Sequence, residues 1–243
     1  MCTLEKRGNI FILTLTGDAD EHRLNPTLIA SLRSALAQAE SQSTRGSVLI
    51  TTAQGKFFSN GFDLKWAQAE AVDGSPSGFN ERLHHMVELF RPFVADLLSL
   101  PMPTIAAVTG HAAAAGFLLA MSHDYFLMRS DRGVLYMSEL DLGMTFPDYF
   151  MAMMRSKVVS AAARRDVLLR ASKVKAEAAV AMGIVDSAHD SGERVVEAAV
   201  RLGGELSKRK WNGQVYSEIR KASYPEICGV LGLASKPVVL SRL

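Results

Sequence analysis

The sequence predicts an α/β fold: strands and helices alternate up to about residue 147, and helical patterns alone follow. Three observations carry this. Two short apolar runs bounded by turn residues, 46–53 and 104–110, suit buried strands. Amphipathic stretches with helical spacing lie between and around them. From about 147 to 223 the pattern is helical throughout, which reads as an α/β core with a C-terminal helical segment.

Taken in order, NIFILTLTG (9–17) is β-rich and partly alternating, which predicts a strand. NPTLIASLRSALAQAES (25–41) predicts a helix, with Asn25 as cap and Pro26 at the first helical position. GSVLITTA (46–53) is the first buried strand. AVDGSPSGFN (71–80) reads as a polar loop, and NERLHHMVELFRPFVADLLSL (80–100) as a long amphipathic helix closed by LPMP. TIAAVTG (104–110) is the second buried strand, and AAAAGFLLAMSHD (112–124) is helical by composition. YFLMRS (125–130) and GVLYM (133–137) predict short strands. Helical patterns then cover 148–156, 160–169, 175–182, 191–208 and 213–223. No sequence repeat is visible, although a strand-strand-helix rhythm can recur in space.

Composition narrows the function. Of 243 residues, 48% are hydrophobic, enough for a substantial core. A net charge of +2 gives no reason to expect a nucleic-acid surface. The basic clusters ARR (163–165) and KRK (208–210) read as solvated helix ends, or as contacts to an anion such as a nucleotide phosphate. Cys2 and Cys228 form neither a disulfide framework nor a metal-ligand spacing, which fits a reducing compartment and no metal. The N-terminus has no apolar h-region, and no run has the length of a membrane span. The chain ends in Ser241, Arg242 and Leu243, a conservative variant of the Ser-Lys-Leu peroxisomal address, so an import receptor is an expected partner.

Three stretches hold candidate chemistry. GKFFSNGFDLKW (55–66) follows a buried strand; it is either a turn packed by its phenylalanines or a glycine loop that lets backbone approach a ligand. TGHAAAAGFLLAMSHD (109–124) has almost no side-chain bulk at a helix start. That suits tight helix packing, or free N–H groups that meet an anionic oxygen. LYMSELDLGM (135–144) carries Glu139 and Asp141, with no Lys or Arg between Arg132 and Arg155. Glu139 is either a polar residue at a strand mouth or a general base whose pKa is raised by apolar surroundings. His84, His85, His111 and His123 lack a matched nucleophile or metal pattern and read as structural.

Together these motifs resemble the crotonase (enoyl-CoA hydratase/isomerase) superfamily. FFSNGFDLK is similar to its F-S-x-G-x-D-L signature. GHAAAAGFLLAMSHDY is similar to G-x-x-x-G-G-G-x-x-L-A-x-x-x-D with alanines for two glycines. SELDLGMTFP resembles E-x-x-L-G, and KAEAAVAMGIVD resembles A-x-E-A-x-x-x-G-L-V-D. The four motifs, in order, cover about 45 to 190, and within the superfamily they look most like the plant peroxisomal Δ3,Δ2-enoyl-CoA isomerase group.

The resemblance implies a spiral of strand-strand-helix units over 1–190 and a C-terminal helical trimerisation segment with targeting tail over 191–243. It implies an acyl-CoA substrate, no cofactor and a homotrimer. It places an oxyanion hole at the backbone N–H groups of Phe62 and Ala115, and substrate contacts at Ser59, Asn60, Gly61, Asp63, Leu64 and Leu118. Arg23 and Lys56 are candidates for the CoA phosphates. Hydratases of the superfamily use two glutamates; one position is Glu139 and the other is Leu118 here. A single carboxylate suits double-bond migration, with Glu139 moving a proton from C2 to C4. Asp148, just after Pro147, is the second-choice base. A hydratase, a CoA thioester hydrolase and a non-catalytic acyl-CoA binder are the alternatives on this fold.

Overall fold

The structure is a computed structural model that describes residues 1–17, 21–69 and 76–238. Its centre is a six-stranded sheet: β1 (Cys2–Arg7), β2 (Ile10–Leu15), β3 (Val48–Ala53), β5 (Thr104–Val108), β7 (Tyr125–Arg129) and β9 (Ser187–His189), side by side in that order. β1 and β2 form an antiparallel hairpin, and every later pairing is parallel. β3 and β5 are buried along their whole length. Parallel strands covered on both faces read as unbroken apolar runs, which is why these two stood out in the sequence. The edge strand β1 is mostly exposed and carries Glu5, Lys6 and Arg7, charges that discourage pairing with another sheet.

A second, three-stranded parallel sheet is made of β4 (Phe57–Ser59), β6 (His111–Ala113) and β8 (Leu135–Tyr136). Each follows a strand of the large sheet, and the chain then returns through helix. β3 and β4 lead to α2 (Leu64–Ala69) and α3 (Pro76–Ser99). β5 and β6 lead to α4 (Ala115–Met121), and β7 and β8 to α5 (Asp148–Lys157). The expected strand-strand-helix spiral is therefore present.

Helix α1 (Pro26–Ser41) starts as expected: the Asn25 side chain accepts from Leu28 N, and Leu28, Ile29, Leu32 and Leu36 face the core. Between α5 and β9 lie α6 (Ala161–Leu168) and α7 (Ala176–Ala181). Helix α8 (Gly192–Lys208) lays Val195, Ala198 and Ala199 on one face of the large sheet, against Val48, Ile50, Ile105 and Leu127. The main core fills the other face. α9 (Gly213–Ser223) and α10 (Pro225–Val230) close the described chain.

Several elements differ from the sequence reading. Residues 76–80, expected in a polar loop, belong to α3, whereas 71–75 lie outside the described residues. The helix expected over 112–124 is two elements. His111–Ala113 pairs as β6 and only Ala115–Met121 is helical, because strand pairing overrides the helix preference of alanine. β1, β4, β9, α2 and α10 were not expected; all are short, and β1 is largely exposed.

The C-terminal helices are tied to the core by a buried ion pair. Arg220 of α9 donates to both oxygens of Asp124 at 2.6 Å, and to the carbonyls of Leu98 and Leu100. Asp124 also accepts from Thr104 N at 2.9 Å. Burial pushes the Asp124 carboxyl up, but the charge and hydrogen bonds of Arg220 outweigh it and hold the pKa below the ordinary value. Arg220→Met strands a buried carboxylate, so we expect a loss of about 3–5 kcal/mol in denaturant unfolding at neutral pH. Asp124→Leu with Arg220→Met should recover most of it. Because the folded pKa is depressed, the pair's contribution should be full above the ordinary value of 3.8 and fade as pH falls below it.

Candidate active site

Glu139 sits in the turn that follows β8. Leu142 N donates to Ser138 O at 3.0 Å and Met144 N to Glu139 O at 2.9 Å, with Gly143 at positive φ. The Tyr136 hydroxyl donates to the Asp141 carboxylate and clasps the turn. These contacts direct the Glu139 side chain inward, where the residue is only 6% exposed. Its Oε2 is buried and finds no hydrogen-bond partner among the described residues. Burial pushes its pKa up to about 7, and the backbone N–H groups of Glu139 and Ser138 pull it back only in part.

The first expected donor lies in the loop after β4. Leu24 N donates to Gly61 O at 2.8 Å and Asp63 N to Leu24 O at 3.1 Å, a parallel bridge centred on Phe62. In such a bridge the flanking groups face the partner strand and the central N–H points the other way. Asp63 Oδ1 accepts from Trp66 N at 3.0 Å and so caps α2. Asn60 is held twice by Glu21, through Asn60 N to Glu21 O at 3.0 Å and Asn60 Nδ2 to Glu21 Oε2 at 2.6 Å. Ser59 is fully buried and donates to His22 O at 2.7 Å.

The second expected donor, Ala115, opens α4. Ala114 before it has φ 48° and ψ −121°, a conformation that costs an alanine roughly 1–3 kcal/mol. Ala114 N is taken by Tyr136 O at 2.7 Å. The two donor segments touch. A Cβ on Gly61 would stand 3.1 Å from Ala113 O and 3.5 Å from Ala115 N, and one on Gly116 would stand 2.2 Å from Ser59 O. Only glycine permits the second approach, and it sets the α4 start directly against β4.

A cavity of about 340 Å³ joins these pieces. Phe62, Leu64, Asn60 and Arg23 line it together with Ala114, Ser138 and Glu139. Leu83 and Val87 of α3, Leu142, Met144, Thr145, Pro147 and Phe150 complete it. Glu139 is the one carboxylate among these residues. Phe62 packs edge-on to Phe90, which stiffens the wall.

Of the residues expected to contact substrate, Asn60 and Leu64 line this cavity, whereas Ser59, Gly61 and Asp63 build the loop behind it. Leu118, expected in the acyl pocket, is fully buried among the main core side chains and is not one of the residues that line the cavity. Asp148 pairs with Arg91 at 2.6 Å and is largely exposed, and that hydrogen bond holds its carboxyl below the usual range. It stands outside the cavity, at the first turn of α5. Arg23 lines the cavity and pairs with Glu21 at 2.7 Å; Lys56 lies over the Phe57 ring.

His123 fits its structural reading. His123 is buried, bonded to Thr51 Oγ1 and Leu119 O, and burial lowers its pKa to about 4. Among the described residues no cluster of His, Cys, Asp and Glu is arranged to hold a metal. Sequence reasoning missed the walls from α3 and α5. Helical periodicity shows that Leu83, Val87 and Phe150 face inward, but not that they face a cavity.

A family model described as enoyl-CoA hydratase/isomerase matches residues 5–223. The Arabidopsis thaliana protein named "Enoyl-CoA delta isomerase 2, peroxisomal" is 62% identical over 244 residues, covering 100% of both chains. "Enoyl-CoA delta isomerase 3" of the same plant is 59% identical with the same full coverage. Among solved structures, a probable enoyl-CoA hydratase of Mycobacterium tuberculosis superposes with a TM-score of 0.82, covering 95% of this chain and 91% of its own, at 23% identity; that likeness concerns the fold.

The buried carboxyl has a measurable cost. Its folded pKa of about 7 lies above its ordinary 4.5, so the folded state holds the proton more tightly and wild-type stability falls as pH rises through that interval. Glu139→Gln should therefore stabilise the fold above neutral pH by up to about 3 kcal/mol, at roughly 1.4 kcal/mol per pH unit. The gain should vanish below pH 4.5. Denaturant unfolding at several pH values measures it, and a gain that does not depend on pH would contradict the raised pKa.

Proposed function

The chain belongs to the enoyl-CoA hydratase/isomerase family, and on that premise we propose that it is an isomerase that shifts the double bond of a 3-enoyl-CoA to give the (2E)-enoyl-CoA, as in the β-oxidation of unsaturated fatty acids. One observation carries the choice of reaction. Among the described residues that line the cavity Glu139 is the single carboxylate, and burial raises its pKa.

The ionised Glu139 takes the proton from C2, and the electron pair moves onto the thioester carbonyl as an enolate. The N–H groups of Phe62 and Ala115 stabilise the oxygen, each worth about 3 kcal/mol in such sites. Glu139, now neutral, returns the proton to C4, and the enolate collapses to the conjugated thioester. A pKa near neutrality lets one group act as base and then as acid. Atoms and electrons balance within the substrate and one carboxyl, so the scheme calls for no cofactor. Water addition needs a second carboxylate to orient the water, and Leu118 stands at the position where the family's hydratases carry it. The thioester is the handle by which CoA presents the acyl group, and Arg23, which pairs with Glu21, is the basic residue among those lining the cavity.

We further propose that the chain assembles as a homotrimer through the C-terminal helical segment of 191–243. Trp211 and Ile219 are 38% and 62% exposed beside an apolar depression of about 610 Å³ against α9, a surface suited to a second copy. The Arabidopsis relatives at 62% and 56% identity are named peroxisomal, and the Ser241–Arg242–Leu243 tail lies outside the described residues. We read that tail as a peroxisomal address taken up by an import receptor.

Two outcomes test this. With a 3-enoyl-CoA, followed by absorbance of the conjugated product, Glu139→Gln should lower kcat by about 10²–10⁴-fold with little change in KM. Asp148→Asn should cost little, hydration of 2-enoyl-CoA should be far slower than isomerisation, and wild-type kcat should fall below pH about 7 as Glu139 protonates. Loss of activity in Asp148→Asn with near-normal Glu139→Gln would move the base to Asp148. Separately, a fluorescent fusion at the N-terminus should be peroxisomal and become cytosolic when Ser241–Leu243 are deleted; unchanged localisation would place the address elsewhere.

A further inference from the structure

We propose that Ala114 is a specificity-determining residue: its methyl group closes the space beside C2 of the thioester, so that this chain takes 3-enoyl-CoA thioesters unbranched at C2 and rejects those with a 2-methyl group. The nature of the ligand rests on the isomerase reading. Ala114 lines the site cavity and is half-buried. Its backbone polar groups are committed elsewhere. Ala114 N donates to Tyr136 O at 2.7 Å, and Ala114 O accepts from Phe117 N and Leu118 N, both at 3.0 Å. What the residue presents to the cavity is therefore its methyl group. That methyl stands at the seam of the two proposed donor segments: a Cβ on Gly61 would lie 3.1 Å from it and 3.5 Å from Ala115 N.

The backbone supplies a second argument. At φ 48° and ψ −121° an L side chain is strained and glycine is at ease. Ala115 beside it has no positive φ and opens α4, where alanine is favoured. Of the two alanines, only Ala114 thus keeps its methyl against the preference of its own backbone, and that methyl faces the cavity. The reaction shows what it can exclude. In an unbranched substrate C2 carries two hydrogens. One leaves as the proton taken by Glu139, and the other stays on C2 in the product. When the carbonyl oxygen is in reach of Phe62 N and Ala115 N, C2 is two bonds from that oxygen. Its retained substituent then has to fit against the side chains next to the donors, and Ala114 directly precedes Ala115. A hydrogen fits there, whereas a methyl meets a methyl. An alanine has no rotamer with which to give way, and the hydrogen bonds at Ala114 N and O pin its backbone. Phe62, the other donor residue, is braced edge-on by Phe90.

The test compares full-length wild type with Ala114→Gly, a replacement that suits the local backbone. The ratio of kcat/KM for 2-methyl-3-hexenoyl-CoA, as mixed C2 epimers, to that for 3-hexenoyl-CoA should rise about tenfold or more in Ala114→Gly, within the roughly 10–200-fold that one methylene commands in a fitted pocket. The ratio cancels any change that the variant makes to both substrates alike. Calorimetric binding of unreactive 2-methylhexanoyl-CoA and hexanoyl-CoA gives a readout independent of turnover: wild type should prefer hexanoyl-CoA, and Ala114→Gly should lose most of that preference. A wild type that handles branched and unbranched thioesters alike, or ratios unmoved by Ala114→Gly, overturns Ala114 as the filter. Absence of turnover on both enoyl substrates, with the binding preference present in wild type and lost in Ala114→Gly, would instead overturn the isomerase reading and leave the steric one standing.

Discussion

The parallel hydrogen bonding of the small sheet is the constraint on which the site depends. β4 pairs with β6 through Phe57 and His111, and β6 pairs with β8 through Ala113 and Tyr136. The three strands therefore end side by side and point the same way. Phe62 comes three residues after Ser59 at the end of β4, Ala115 two after Ala113 at the end of β6, and Glu139 three after Tyr136 at the end of β8. The proposed donors and base are thus far apart in sequence but emerge from one edge of one sheet, at the carboxyl ends of its strands, where α/β folds generally hold their ligands. The same pairing explains the short elements: with few residues per strand, the turns that carry chemistry begin at once.

Such an arrangement is unfavourable locally. Glu139 gives up hydration without a compensating cation, and Ala114 holds a positive φ that glycine would adopt more easily. Both departures cluster at the one cavity where backbone donors and a carboxylate converge. Strain and desolvation side by side at one cavity mark a site in which geometry is imposed by the rest of the fold. Asp124 and Arg220 show the contrast. That pair is just as buried, yet each partner is saturated by the other and by backbone groups, and it anchors α9.

How legible this was follows from what each signal measures. Buried parallel strands leave apolar runs, so β3 and β5 were visible, and Asn25–Pro26 announced α1 through cap chemistry. The four-motif resemblance reached the spiral and pointed to Phe62, Ala115 and Glu139 as the proposed donors and base, because those positions sit in local patterns. The raised pKa at Glu139 agreed with the lack of nearby Lys and Arg in sequence. Short strands failed: β4, β6 and β9 hold three residues each, too few for a period to register. Leu118 is a different case. Counting along a helix gives the position of a side chain in a motif, whereas cavity or core is decided by what packs over that face, and here core side chains do. The cavity walls contributed by Leu83, Val87 and Phe150 are tertiary facts of the same kind.

A fold shared with proteins described as hydratases leaves the reaction to be settled by what the cavity contains. Negative charge develops on a thioester oxygen in water addition and in double-bond migration alike, so paired backbone donors serve either. The difference lies in the proton inventory. Adding water requires a group to orient and deprotonate the water and another to deliver a proton to carbon. Moving a double bond requires one group able to reach two carbons of the same chain and to exist in both protonation states. A single carboxyl poised near neutrality meets the second demand and falls short of the first. Apolar residues around it, among them Leu142, Met144 and Phe150, sustain that pKa and also favour the alkyl chain over water. One physical cause, a dry wall around one acid, thus bears on both the choice of reaction and the choice of substrate.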